Sequence, residues 1–315
     1  MSIGLSFLMA AGALAAATST GNEGSVTMKQ NSGEIADNAP RIVNIINFIR
    51  AVEPRLEIDL LEPVANQVRL VKEHNLPATF LLQYDALLEE RFVNLLKAEL
   101  DERCEVGAWL EIVQPLVEKA GLKWRGRYPW DWYTHVGFTI GYTPQEREKL
   151  IDTFMADFKA VFGEYPHSVG SWFIDAHTLG YLADKYGVIA SCNCKDQMGT
   201  DGYTLWGGYW NQAYYPSRLN ALMPAQNAAQ QIPIPVFRML GSDPIYQYDV
   251  NIGSAHQSVV TLEPVYKEGG GSPSWVRWFF NVVTDAPCGA FAYAQVGQEN
   301  AFGWPAMKDG LKFDY

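Results

Sequence analysis

Residues 78–113 read ATFLLQYDALLEERFVNLLKAELDERCEVGAWLEIV. Ala78–Leu82 is a short apolar run behind Pro77, the length of a buried strand. Ala86–Leu100 changes period: Leu88, Phe92, Leu95, Leu96 and Leu100 recur at helical spacing. Cys104–Val113 is again strand-like. Strand, helix and strand in such short order predict two parallel strands joined by a crossover helix.

The alternation extends in both directions. Upstream, Arg41–Arg50 (RIVNIINFIR) is a β-branched run, and Pro63–Asn75 places Val64, Val68 and Val71 on one stripe. Downstream, Thr143-Pro144-Gln145-Glu146 carries helix start signals ahead of Leu150, Phe154, Phe158 and Val161. His167–Asp175 is a strand, Thr178–Tyr186 a short helix stopped by Gly187, and Val188–Asp196 a strand. Ile232–Gly241 is a sixth strand with its prolines at the start. Pro273–Thr284 is a helix and Gly289–Gln295 the last strand. Two segments, 197–231 and the stretch ending in Gly269-Gly270-Gly271, read as loop insertions rich in Gly, Tyr, Asn and Trp.

Seven apolar strands alternating with helices predict an α/β fold with a parallel sheet covered on both faces. No G-x-G-x-x-G follows the first strand, which disfavours a dinucleotide fold. The expected architecture is a seven-stranded (β/α)7 barrel, distorted and TIM-like, formed by residues 41–315 as a single catalytic domain. Residues 1–17 read as a secretory signal peptide, with an apolar stretch from Ile3 to Leu14 and Ala15-Ala16-Ala17 as the cleavage pattern, although no Lys or Arg precedes it. Residues 18–40 read as a flexible leader. Export to the periplasm or medium rests on that segment.

Composition narrows the partners. The chain has 315 residues, 24 Lys+Arg against 35 Asp+Glu, and a net charge of −11. That field repels nucleic acid and anionic membranes. The 10 Trp and 16 Tyr exceed what a core needs, because each brings a polar atom to satisfy. Trp124, Trp130, Trp132, Trp206, Trp210 and Trp304 fall in loops, where stacking on sugar rings is their expected use. The four cysteines, Cys104, Cys192, Cys194 and Cys288, lack zinc-ribbon spacing.

In β/α barrels chemistry sits at the C-terminal ends of the strands. That rule selects Arg50 and Glu53 after the first strand, Gln83, Tyr84 and Asp85 after the second, and Trp109 with Glu111 on one face of the third. It selects Asp175 and His177 after the fourth, Lys195 and Asp196 after the fifth, and Arg238 and Asp243 after the sixth. Gln295, Gln298, Glu299 and Asn300 follow at the seventh. Glu111 lies among apolar neighbours, so it needs a partner or a raised pKa, and Arg50 or Arg238 are the candidates for pairing. Asp175 has two readings, catalysis or capping of the helix that starts beside it. Two carboxylates facing one cleft are the equipment for glycoside hydrolysis. The histidines (His74, His135, His167, His177, His256) form no H-x-H or H-x-x-x-H pair, and no G-x-S-x-G is present. No metal or other cofactor is expected.

The layout resembles the glycoside hydrolase/deacetylase barrel superfamily. ATFLL followed by CEVGAWLEIV resembles the "TFF … EIGxH" segment of polysaccharide deacetylases. VNIINFIRAVEPR, RGRYPWDWY, GSWFIDAHTLGYLADKYG, PVFRMLGSDPIYQYD and AQVGQENAFGW resemble an uncharacterised bacterial family of candidate glycoside hydrolases, over roughly Ile42 to Trp304. Deacetylases of the superfamily place Asp-Asp after the first strand and H-x-x-x-H after the third to hold a metal; here those strands carry Asn44 and Asn47, and Trp109 and Glu111. The resemblance implies a nucleophile at the end of the fourth strand, Asp175, with Glu111 or Glu299 as acid, and Asp196 and Asp243 in reserve. Arg50, Trp109, Trp132, His177, Lys195, Trp206, Trp210, Arg238, Gln295, Gln298, Asn300 and Trp304 are the expected substrate contacts. The expectation is a metal-independent glycoside hydrolase on a carbohydrate substrate. The alternatives are a deacetylase-like esterase with a rearranged metal site around His177 and Asp175, and a non-catalytic glycan-binding barrel.

Overall fold

The computed structural model describes residues 40–194, 213–239, 272–285 and 291–315. The leader and signal segment therefore lie outside the described residues, as do most of the two insertions.

Among the described residues there are nine strands: β1 (Arg41–Ile49), β2 (Thr79–Leu82), β3 (Glu105–Trp109), β4 (Ser168–Ser171), β5 (Ala190–Cys194), β6 (Pro216–Ser217), β7 (Asn220–Pro224), β8 (Val236–Met239) and β9 (Ala292–Glu299). Seven of them form one parallel sheet in the order β8-β5-β4-β3-β2-β1-β9. The sheet curls into a half-barrel, as the alternation of strands and helices requires. Among the described residues β8 and β9 are the two edges of this sheet and do not pair with each other. Phe237 and Tyr293 meet across that opening edge-to-face, with ring centroids 5.7 Å apart. The short antiparallel pair β6–β7 is an addition inside the first insertion, where the sequence reads only as loop.

Strand alternation sorts the side chains into two cores. Ile45, Ile49, Phe80, Leu82, Ala108, Val169 and Val236 point outward and pack under the helices. Ile46, Phe48, Leu81, Trp109 and Cys192 point inward and close on Trp172 and Phe138. The outer helices form as their local signals direct. Pro144–Phe162 begins with a capping box between Thr143 and Glu146 and ends at Gly163, whose φ of +91° suits glycine. Leu61–Glu73 buries Val64, Val68 and Val71 as its stripe predicts. The single helix expected over Ala86–Leu100 is instead two, Tyr84–Leu88 and Glu90–Glu99, broken where Glu89 is extended at φ −93° and ψ 111°.

Among the described residues no helix is long and apolar enough to cross a membrane. Cys104 and Cys192 are free thiols, and burial pushes the Cys192 thiol up to about 12.

Candidate active site

The C-terminal ends of β1, β2, β3 and β9 converge on one side chain, Arg50. It follows β1 directly and is 1% exposed. Its Nε donates to Glu111 Oε2 at 3.0 Å and Nη2 to Glu111 Oε1 at 3.1 Å, a bidentate pair. Its Nη1 lies 2.9 Å from Glu299 Oε2. The guanidinium carbon stands 4.2 Å from the Trp130 ring centroid. One buried cation thus faces two carboxylates brought from β3 and β9.

Glu111 is 2% exposed and has further donors. Gln83 Nε2 donates to its Oε2 at 2.7 Å, and the Trp109 indole N–H donates to the same oxygen at 2.9 Å. Arg50, not Arg238, is therefore the partner that a carboxylate in an apolar run demands. Glu299 keeps 12% of its side chain exposed, so it is the solvent-side carboxylate of the pair. Asn300 braces the centre from behind. Its Oδ1 accepts from Arg50 N at 2.9 Å, and its Nδ2 donates to the carbonyls of Arg50 and Leu60 at 2.8 Å. It is fully buried and ties β1 to β9, and Gln298 beside it is buried as well.

Asp85 completes the cluster. The backbone N–H groups of Ala51 and Ala86 donate to its two oxygens at 3.2 and 2.7 Å. Burial pushes its carboxyl up to about 7; the two backbone bonds and Arg50 oppose that shift, and Glu111 adds to it. A group poised there exchanges a proton at neutral pH. Strand-end position picked out Asp85 in the sequence along with many others, and only its surroundings separate it from them.

Asp175 sits differently. It caps the helix Ala176–Tyr181, accepting from Thr178 N at 3.0 Å. Thr178 Oγ1 donates to it at 2.7 Å, Thr139 Oγ1 at 2.6 Å and Arg147 Nη1 at 2.7 Å. Burial alone would raise its pKa, but the threonine hydrogen bonds and the Arg147 charge hold it below the usual carboxylate value. The capping reading describes this geometry, and the carboxylate has four donors already.

The aromatic side chains are used inside the protein more than the sequence suggests. Trp109 is fully buried, stacked on Phe48 at 4.3 Å and edge-on to Trp172 at 6.1 Å. It orients Glu111 and offers no open face to a sugar. Trp130, Arg55, Trp132 and Arg127 alternate outward from Arg50: Arg55 lies 5.4 Å from Trp130 and 4.9 Å from Trp132, and Arg127 lies 4.8 Å from Trp132 and 4.1 Å from Tyr133. Each outer cation has its own counter-ion, Glu53 for Arg55 and Asp131 for Arg127. Burial raises the Glu53 pKa, and Arg55 and Arg50 more than reverse that. This cation–π ladder holds the loop against the centre.

Other expected contacts lie elsewhere. His177 is on the surface beside Glu148, Nε2 to Oε1 3.1 Å. Trp304 packs against the cluster of Leu70, Met307 and Leu311. Lys195, Asp196, Trp206, Trp210 and Asp243 lie outside the described residues, and Arg238 and Gln295 are described only as positions on β8 and β9.

No protein-family profile matches the sequence, and neither does any curated protein. Solved structures do. A "putative glycoside hydrolase/deacetylase" from Parabacteroides distasonis superposes with a TM-score of 0.61 at 18% identity, over 88% of this chain and 66% of its own. This chain thus spans about two thirds of that protein. A "probable Polysaccharide deacetylase" from Pseudomonas aeruginosa PAO1 superposes with a TM-score of 0.51 at 12% identity, over 88% of this chain and 84% of its own.

This chain has the fold of these two structures. Deacetylases of the glycoside hydrolase/deacetylase superfamily, which the sequence resembles, carry carboxylates after the first strand and histidines after the third to hold a metal. Here β1 is followed by Arg50 instead; Asn47, fully buried, lies on the outer face of the sheet with Ile45 and Ile49, where Tyr315 donates to its Oδ1 at 2.5 Å. β3 carries Trp109 and Glu111, both engaged as above. Among the described residues no three His, Cys, Asp or Glu side chains come together in a way that would hold a metal. The described strand-end residues do not fit that metal set, and among them the Arg50 cluster is where charged groups gather.

Proposed function

We propose that this chain is a carbohydrate-acting hydrolase centred on Arg50, and that removal of an acyl group from a sugar suits that centre better than cleavage of a glycosidic bond. One observation carries the preference. Three of the described strand-end carboxylates, Glu111, Glu299 and Asp175, are each paired with an arginine, and Asp85 alone is tuned to about 7. Glycosidases use two carboxyl groups in opposite protonation states across one bond. Hydrolysis of an ester needs one proton acceptor and a field that favours the developing oxyanion.

In this reading Asp85, as carboxylate, takes a proton from water as the water oxygen bonds to the acyl carbon. The carbonyl oxygen gains its negative charge in the field of Arg50. When the tetrahedral intermediate collapses, the bond to the sugar oxygen breaks and the proton passes from Asp85 to that oxygen. The names of the two similar structures support a carbohydrate substrate and lean toward deacetylation. Export to the periplasm or medium is part of the proposal and rests on residues 1–17.

A second reading stands on Glu299. Its side-chain exposure of 12% at the barrel mouth makes it the accessible acid of a glycosidase, with Glu111 or Asp175 opposite. The deciding experiment incubates the full chain with acetylated and de-esterified plant and host polysaccharides and follows acetate and new reducing ends together. Acetate without reducing ends is expected. Reducing ends without acetate would establish the glycosidase reading, and binding with neither product would establish a glycan-binding barrel.

A further inference from the structure

The opposite end of the barrel holds a second feature. A cavity of about 310 Å3 opens among the first residues of the strands, lined by Asn44, Thr79, Glu105, Ser168 and Ser191 among others. The aromatic layer of Phe48, Trp109 and Trp172 lies between these strand starts and the Arg50 cluster at the strand ends. Its ceiling is formed by Ile46, Leu81 and Cys192 of the inner core. At about 30 Å3 per water, this space has room for roughly ten waters or one small organic molecule.

The wall is not a neutral one. Glu105 and Ser168 are half-buried residues, but Glu105 Oε1 and Ser168 Oγ are themselves buried and have no hydrogen-bond partner among the described residues. Glu105 has no ion pair among them either. Arg103 borders the cavity, but its guanidinium is engaged by Asp101, with Nη2 2.6 Å from Oδ2, and by Asn75. Its charge is matched at the rim and is not available to Glu105. Buried polar atoms without partners are rare in folded proteins and costly, more so when the group is a carboxylate.

We infer that this cavity is a second binding site, separate from the Arg50 centre, for a small organic ammonium whose N–H groups meet Glu105 and Ser168. A carboxylate with no cation prefers a charged donor over a neutral one. Ile46 and Leu81 suit a short aliphatic body, and Asn44 and Thr79 supply further polar contacts. The site does not depend on which reaction the other end of the barrel performs.

The test is saturation-transfer NMR on the full chain with two probes of one shape, propylammonium and propan-1-ol. The ammonium is expected to bind and the alcohol to bind at least about tenfold more weakly. Glu105→Gln should remove that preference. Ala190→Leu fills the cavity from β5 without touching a charged group and should abolish binding of both probes; cooperative thermal unfolding verifies that each variant folds. Equal ammonium binding by Glu105→Gln or Ala190→Leu would place the ligand elsewhere. No binding at millimolar probe would mean a water-filled void. Either result overturns the inference.

Discussion

Replacing Arg50 by Met is the most informative perturbation of this molecule. The wild-type guanidinium holds Glu111 through two bonds of 3.0 and 3.1 Å, reaches Glu299 at 2.9 Å and lies on Trp130 at 4.2 Å. Methionine keeps much of the volume and leaves the backbone bonds to Asn300 intact. It leaves Glu111 charged, 2% exposed and held only by the neutral donors Gln83 and Trp109. Removing one partner of a buried ion pair costs about 3–5 kcal/mol. Loss of the cation–π contact adds about 0.5–2 kcal/mol, and methionine packing on Trp130 offsets part of that. The expected loss is about 4 kcal/mol, a large share of the roughly 5–15 kcal/mol that a folded domain possesses. Adding Glu111→Gln removes the stranded charge, so the double variant should recover about 2 kcal/mol relative to Arg50→Met alone. Urea unfolding at neutral pH measures both, with unchanged m-values confirming a common unfolded state. A cost below about 1 kcal/mol for Arg50→Met, or a double variant as unstable as the sum of the singles, would refute the reading of Arg50 as the electrostatic keystone.

Asp85→Asn should lower hydrolytic activity by about 10²-fold or more and remove the limb of the pH–rate profile that rises through about 7. Its raised folded pKa means the native state holds a proton that the unfolded chain has released above about pH 4, so wild-type stability falls as pH rises toward 7. The Asn variant should lack that decline in denaturant midpoint. Asp175→Asn should cost about 1–3 kcal/mol at pH 7 through the lost ion pair with Arg147 and the weakened threonine bonds. Because the folded pKa of Asp175 is depressed, this contribution is present above the unfolded value near 4 and is lost as pH falls through the folded one. Reduced activity with unchanged stability would instead make Asp175 a reacting group. Trp109→Phe keeps the stack on Phe48 but takes away one donor to Glu111, and should cost about 1–3 kcal/mol in chemical unfolding, whereas a neutral result would mean Gln83 and Arg50 suffice.

The elements were readable because their signals are local. The β-branched run at 41–50, the capping box at Thr143 and Glu146, and the valine stripe of Leu61–Glu73 each act over a few residues, and the structure keeps all three. The β6–β7 pair escaped because PSRLNALMP has no alternating pattern to mark it. The aromatic excess pointed to sugar platforms, yet Trp109 and Trp130 are buried, and Trp132 lies between two arginines. An aromatic beside a carboxylate reads the same in sequence whether it lines a cleft or fills a barrel.

Asp175 shows where reading along the chain stops. Its position at a strand end and a helix start fits a nucleophile and a cap equally. Thr139 and Arg147, 36 and 28 residues away, decide between the two by filling its lone pairs. The Arg50 centre is more remote still, joining β1 to Glu111 across 61 residues and to β9 at the far end of the chain. By itself the sequence determined the alternation of strands and helices, the parallel sheet and the rim on which charged residues would gather, since these follow from periodicity and capping. Only the curl of the sheet decided which carboxylates meet a cation and which one is left to titrate near neutrality. Pairing and desolvation act through space, over distances of a few ångströms that no spacing along the chain encodes.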